Sequence, residues 1–230
     1  MSRYHRQITF PDIGLEGQSK LSQASVLIVG VGGLGSIISL YLSSMGIGKI
    51  GLVDGDSVSL TNLHRQIIYN NSDIEKSKVE CAKHNLLNRN ETVQIVTYNE
   101  YISKNNVDNI CADYNIIVDG LDNNIARYII DAYCSANKKP YIFGGIDGFV
   151  GQVSVFNYNG SGSYSNLYPE EQHPPYTTPS DKGVLAILPG VIGLLQANEV
   201  LKIVLGYGEV LKNKLLQYDL RTNKQEIFDV

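Results

Sequence analysis

A chain of 230 residues with 43% hydrophobic and 18% charged positions has ordinary globular composition and enough length for one large α/β domain with a packed core. A formal net charge of −4, with no run of Lys or Arg, argues against a dedicated nucleic-acid surface. Cys81, Cys111 and Cys134 include no C-x-x-C pair, which argues against a disulfide framework or a cysteine zinc site and for reduced thiols in a cytoplasmic protein.

The start, MSRYHRQITF, shows no apolar signal-peptide core and reads as a short polar lead. A helix is expected over Gly14–Gln23. The apolar run Ser25–Val29 ends in glycines and reads as a buried parallel strand. Gly30-Val-Gly-Gly-Leu-Gly35 is the following turn, residues 36–45 the next helix, and Lys49–Val53 a second strand ending at Asp54. Residues 73–90 read as a helix, 93–98 and 115–119 as strands, 125–138 as a helix and 140–143 as a short strand. This alternation predicts a Rossmann-like, doubly wound, mostly parallel sheet.

The pattern then changes. Residues 151–158 alternate like an antiparallel strand, and 159–182 form a long connection rich in Gly, Ser, Pro and Tyr. Residues 184–205 are apolar but interrupted by Pro189, Gln196, Asn198, Glu199 and Lys202, so they read as a buried helix and not a membrane span. Residues 215–230 read as a hairpin around Arg221-Thr-Asn-Lys224. One domain is expected, with a nucleotide-binding part over about 1–145 and an antiparallel C-terminal extension over about 146–230 that covers the site.

Gly30, Gly32 and Gly35 fit G-x-G-x-x-G between a strand and a helix. The three glycines serve a tight turn, close backbone approach to phosphate, and helix–strand packing. Asp54 at the end of the second strand is placed to accept from ribose hydroxyls. That constellation serves NAD, FAD and ATP alike. The polar cluster that follows separates them. A hydride-transferring enzyme needs one ribose contact here, whereas Asp56, Asn62, Arg65 and Gln66 crowd into the next dozen positions. Joining a carboxylate to a phosphate brings two anions together and requires cations to offset them. Arg65 is the candidate phosphate clamp, Lys78 a second cation at a helix start, and Asp122, after a parallel strand, the candidate Mg²⁺ ligand. Nothing in this chemistry requires His5, His64, His84 or His173.

The succession Arg-Tyr-x-Arg-Gln, Gly-x-Gly-Gly-Leu-Gly, Asp-x-Asp-x-Val-x-x-x-Asn-Leu-x-Arg-Gln, Lys-x-Lys and a post-strand Asp-Asn resembles the ThiF/MoeB/HesA family, relatives of ubiquitin-activating enzymes, from Arg3 to about Asp219. The resemblance implies that Gly33, Asp54, Asn62, Arg65, Lys78, Asp122 and Asn123 line an ATP site. It implies that Arg65 and Lys78 face the phosphates and that Asp122 binds Mg²⁺. Arg6 matches the family arginine that reaches into the partner subunit's site, which implies a homodimer. The implied activity is adenylation of the C-terminal carboxylate of a small ubiquitin-like sulfur-carrier protein ending in Gly-Gly, for thiamin or molybdopterin synthesis, with thiamin marginally preferred. Adenylation of a ribosomally made peptide is the alternative within the family, and an NAD- or FAD-dependent oxidoreductase the alternative outside it.

Two features depart from the family pattern. Ser163-Tyr-Ser-Asn166 stands where many members carry the first of two zinc-binding C-x-x-C pairs, and the second pair falls beyond residue 230. No zinc is therefore expected, and without it the connection 159–182 is expected to be more mobile when no partner is bound. Pro179-Ser-Asp-Lys-Gly183 stands where relatives place a cysteine, so no covalent thioester or persulfide link is expected there.

Overall fold

The computed structural model describes residues 3–173 and 183–230. In chain order the elements are α1 (His5–Ile8), α2 (Gly14–Gln23), β1 (Ser25–Val29), α3 (Gly33–Met45), β2 (Lys49–Val53), α4 (Lys78–Arg89), β3 (Gln94–Tyr98), α5 (Val107–Cys111), β4 (Ile116–Asp119), α6 (Asn124–Asn137), β5 (Tyr141–Asp147), β6 (Val150–Phe156), α7 (Tyr164–Leu167), α8 (Ile187–Leu205), β7 (Lys214–Asp219) and β8 (Lys224–Asp229). Two 3-10 turns, Leu60–Asn62 and Asn71–Asp73, lie between β2 and α4.

The eight strands form one sheet in the order β3-β2-β1-β4-β5-β6-β7-β8. The first five are parallel and the last three pair antiparallel. The chain leaves β1 for β2 on one side and returns as β4 on the other, so a topological switch point opens at the carboxyl ends of β1 and β4. Alternation along the strands feeds two cores. Val26 and Ile28 join Ile50, Leu52, Ile116 and Val118 under α3, α4 and α8. Leu27 and Val29 join Ile117, Tyr141 and Phe143 under α5 and α6. Each fully buried Leu or Ile contributes about 2 kcal/mol of transfer free energy.

Several bounds differ from the sequence reading for local reasons. Helix α3 begins at Gly33 with Gly32 as its N-cap, so half of the expected turn is the first helical turn. Helix α4 begins at Lys78 and not at residue 73, because Glu75 takes a left-handed φ of 68°. Strand β5 runs four residues past Phe143, since Gly144 and Gly145 stay in register with Val153 and Gln152 of β6. Helix α8 tolerates Pro189 in its first turn, where a missing N–H costs no helical bond. By length and composition α8 could cross a membrane, but half of it is buried, with Leu188 and Ile192 in the same core as Leu34 and Ile38 of α3.

The described part of the connection, residues 159–173, is tied down by specific contacts. Ser163 and Asn166 form a capping box that starts α7. The buried Asp131 carboxylate of α6 accepts from Tyr164 N (2.9 Å), Ser165 N (3.0 Å) and Asn157 Nδ2 (3.0 Å). The buried Tyr164 ring lies 5.4 Å from Phe143 and 5.1 Å from Tyr168, centroid to centroid. A carboxylate and an aromatic cluster thus hold this stretch. Residues 174–182 lie outside the described residues. At the far end of the sheet, β8 is exposed along its whole length.

Candidate active site

The carboxyl ends of β1, β2 and β4 open into a cavity of about 610 Å³, within the range of small-ligand sites. Its floor is the glycine loop. Gly30 takes a φ of +89°, and a side chain there would run into the Gly120 carbonyl at the start of the β4 loop. A Cβ at Gly35 would overlap the Gly30 carbonyl, so this glycine sets how closely α3 approaches β1. No side chain caps α3, and the first intrahelical bond runs from Ser36 N to Gly32 O (2.9 Å). The N–H groups of the first turn therefore remain available at the positive end of the helix, where Gly32, Gly33 and Leu34 line the cavity.

Asp54 ties this loop to β2. Its Oδ2 accepts from Val31 N (2.8 Å) and its Oδ1 from Asp56 N (2.9 Å), while Tyr69 donates its hydroxyl to Val31 O (2.8 Å). Beyond Asp54 a short ladder zips residues 56–58 to 75–78: Val58 N to Lys76 O (2.9 Å), Glu75 N to Val58 O (2.8 Å) and Lys78 N to Asp56 O (3.0 Å). The ladder puts Lys78 first in α4, where the helix dipole repels a cation. Two carboxylates compensate. Lys78 Nζ lies 2.7 Å from Asp56 Oδ2 and 3.9 Å from Asp54 Oδ1. One cation serves both, yet their pKa values move oppositely. Burial pushes Asp54 up, only partly offset by Lys78 and the two backbone N–H groups. Burial also acts on Asp56, but hydrogen bonds from Lys78 and Tyr101 outweigh it and hold that carboxyl below its usual value. The difference follows from exposure, 8% for the Asp54 side chain against 47% for Asp56, and from the shorter contact.

Arg65 lines the cavity beside Gly33 and donates from Nη1 to Thr61 O (3.0 Å) and His64 Nε2 (2.8 Å). Gln66 is buried at the cavity wall, with Oε1 unpartnered among the described residues. Asn62 does not line the cavity. Its side chain accepts from Ser59 N (3.1 Å), and its carbonyl accepts from Arg65 N and Gln66 N, so it shapes the turn that carries them. Asp122 is exposed at the cavity wall, and its carboxylate has no partner among the described residues. Asn123 lines the cavity too, but its Oδ1 caps α6 through Ala126 N (3.1 Å). Arg6 is exposed on α1, away from the cavity. That helix is held near Met45 by Gln7, at the end of α3 opposite the glycine loop. A 13-residue helix spans about 20 Å.

Two cavity residues escaped the sequence reading. Arg127 of α6 is buried, donating from Nε to Asp119 Oδ2 (2.8 Å) and from Nη2 to Leu121 O (2.8 Å) and Gly144 O (3.1 Å). It braces the tip that bears Asp122. Its signal was a lone arginine inside the apolar Ile125-Ala-Arg-Tyr-Ile-Ile130. Tyr101, after β3, donates its hydroxyl to Asp56 Oδ1. Ile146, Asp147, Val184 and Pro189 bring the C-terminal part to the wall.

No group of three His, Cys, Asp or Glu side chains able to hold a metal occurs among the described residues. A lone unpaired carboxylate such as Asp122 fits Mg²⁺, which is commonly held by one or two carboxylates together with substrate phosphates. All three thiols are buried. Burial pushes Cys111 up to about 12 and raises Cys81 and Cys134 as well, so none offers a ready thiolate.

Comparison with known proteins agrees with this geometry. The chain is 44% identical over 231 residues to a probable molybdopterin-synthase adenylyltransferase of Porphyra purpurea, covering 100% of this chain and 60% of that protein. It is 43% identical over 220 residues to the adenylyltransferase and sulfurtransferase MOCS3-1 of Zea mays, covering 94% of this chain and 47% of the relative. The chain thus spans only about half to three-fifths of the length of these curated relatives. Solved structures of E. coli MccB, one with ATP and one with AMPCPP and MccA, align with TM-scores of 0.84 and 0.85 at 25% identity, covering 99% of this chain and 70% and 71% of theirs. The ThiF family model matches residues 4–230. Because that match takes in all eight strands and every wall of the cavity, the chain belongs to the ThiF family.

Proposed function

We propose that this chain adenylates the C-terminal carboxylate of a small ubiquitin-like sulfur-carrier protein ending in Gly-Gly, using ATP and Mg²⁺, in molybdopterin-type sulfur transfer in the cytoplasm. The observation that carries the reading is the convergence of the uncapped α3 N-terminus, Arg65 and the buried Lys78 on one cavity. That is an anion site with two cations, as the joining of a carboxylate and a triphosphate requires. The relatives' names favour molybdopterin over the thiamin assignment that the sequence alone marginally preferred. They give no support to an oxidoreductase.

In this reading the phosphates lie against the N–H groups of Gly33 and Leu34, Asp54 faces the ribose, and Arg65 and Lys78 offset charge on the phosphate oxygens. Asp122, braced through Arg127, holds Mg²⁺, which supplies further positive charge to the triphosphate when bound. A carboxylate oxygen of the carrier attacks the α-phosphorus, the α–β phosphoanhydride bond breaks, and pyrophosphate leaves with the released electron pair. The product is an acyl-adenylate. No reactive thiol is needed for this step. Arg6 stands too far along α3 to serve its own cavity, which fits a homodimer in which it serves the partner's.

The test is ATP–pyrophosphate exchange with Mg²⁺ against a panel of Gly-Gly-ending carriers and short peptides. Exchange dependent on a carrier supports the proposal. Exchange dependent only on a peptide transfers the activity to the MccB-like reading, which the fold likeness to the MccB–MccA complex favours. ATP binding with no exchange under any partner would sink the adenylation reading.

A further inference from the structure

The cavity contains a hydrogen-bonded chain of three side chains from three separate segments, ending at Lys78. Tyr101, from the segment after β3, donates to Asp56 Oδ1, and Asp56 Oδ2 accepts from Lys78 Nζ at 2.7 Å. We propose that Tyr101 is a positioning residue of the nucleotide site, acting through Asp56 to fix the Lys78 ammonium against the phosphates. The proposal rests on the nucleotide reading given above and extends it to a residue outside the family motifs.

Three physical arguments support it. First, Lys78 needs restraint. Its ammonium ends a flexible four-carbon stem at a helix N-terminus, which repels it, and its nearer restraint is Asp56. Second, Asp56 cannot provide that restraint unaided. Its side chain is 47% exposed, and a carboxylate held at one oxygen can rotate about its terminal torsion. Tyr101 grips the other oxygen, so both ends of the carboxylate are fixed. Third, Tyr101 is placed with more care than an exposed tyrosine requires. It is 67% exposed, yet its ring lies so close to Gly55 that a Cβ there would sit 2.9 Å from Cε2. Its carbonyl accepts from Asn106 Nδ2 at 3.0 Å. The same amide group reaches Glu100 Oε2 (2.7 Å), and Asn106 Oδ1 accepts from Ser103 N (2.7 Å). The hydrogen bond to Asp56, with burial, pushes the phenol up to about 12, so it stays protonated and donates across the working pH range.

The chain makes a distinctive demand. Because Tyr101 acts on the phosphates only through Asp56 and Lys78, removing its hydroxyl weakens binding of a triphosphate and leaves binding of the bare nucleoside alone. Calorimetric titration of the full chain with AMPCPP and with adenosine, in the presence of Mg²⁺, reads this directly. Tyr101→Phe is expected to raise the AMPCPP dissociation constant roughly five- to tenfold and to leave that of adenosine within about twofold. In an Asp56→Asn background the same substitution is expected to have no further effect on AMPCPP, since the intermediary is already disabled. Equal weakening of both ligands, an unchanged AMPCPP constant, or a full effect surviving in the Asp56→Asn background would each overturn the proposal. Wild-type protein that binds AMPCPP but supports no pyrophosphate exchange sinks the adenylation reading and leaves this comparison intact.

Discussion

Lys78 occupies a position that helix electrostatics disfavour, and it persists because two carboxylates share its charge. Replacing it with methionine leaves the buried Asp54 without its cation, which costs about 3 kcal/mol near neutral pH. The cost depends on pH in a definite sense. Asp56 titrates below its ordinary value of 3.8 in the folded state, so its contribution is present above 3.8 and lost as pH falls through the folded value. Asp54 titrates above 3.8, so its contribution is present below 3.8 and lost as pH rises through the folded value. Removal of Lys78 raises both values. Thermal melts of Lys78→Met should therefore approach wild type towards about pH 4 and diverge progressively towards about pH 7. Asp122 behaves differently, being exposed and unpaired. Asp122→Ala should lower pyrophosphate exchange by at least about 100-fold while urea denaturation shifts by no more than about 0.5 kcal/mol. Much of this site was readable from sequence because Gly30, Asp54, Arg65, Gln66 and Lys78 sit in short motifs whose spacing fixes their geometry. Arg127 and Tyr101 were not, because their roles come from partners brought up by the fold. Asp56 is 45 residues before Tyr101. Asn62 stands outside the cavity lining for the converse reason: an amide beside a turn readily serves as a cap, and here its side chain accepts from Ser59 N.

At the scale of elements, β1 and β2 matched the sequence reading residue for residue, since each is an apolar run stopped by a glycine or an aspartate. The short helices α5 and α7 did not show, as four or five residues carry too little periodicity to register. Helix α7 depends on Asp131, more than thirty residues earlier, and on the aromatic cluster that buries Tyr164. Asp131→Ala removes the acceptor for three donors and leaves the buried Tyr164 N–H unpaired, a loss of about 3 kcal/mol. Hydrogen exchange should show faster exchange first at the Tyr164 and Ser165 amides. Unchanged protection there would mean that the aromatic cluster alone anchors the segment.

At the scale of the molecule, the parallel strands build the cavity, and the end of β5, held by its antiparallel pairing with β6, brings Ile146 and Asp147 to its wall. The parallel half was legible from the strand–helix alternation. The order of the last three strands was not, because hairpin patterns do not say which edge they join. The proposed homodimer makes a whole-molecule prediction. Arg6→Ala and Arg65→Ala should each be inactive alone, while an equal mixture, after subunit exchange, should recover about a quarter of wild-type exchange activity, since one site of each mixed dimer is intact. No recovery would place Arg6 within its own subunit's chemistry or outside it altogether. Among the described residues the sheet ends at β8, exposed along its length, with Ile227 and Phe228 uncovered and a row of backbone donors and acceptors along the edge. Such an edge is a template for another strand, and here the deterrents to self-pairing are the charges of Lys224, Glu226 and Asp229. Those charges repel or misalign neighbours only across a Debye length, so high salt, by screening them, promotes ribbon-to-ribbon aggregation of concentrated protein.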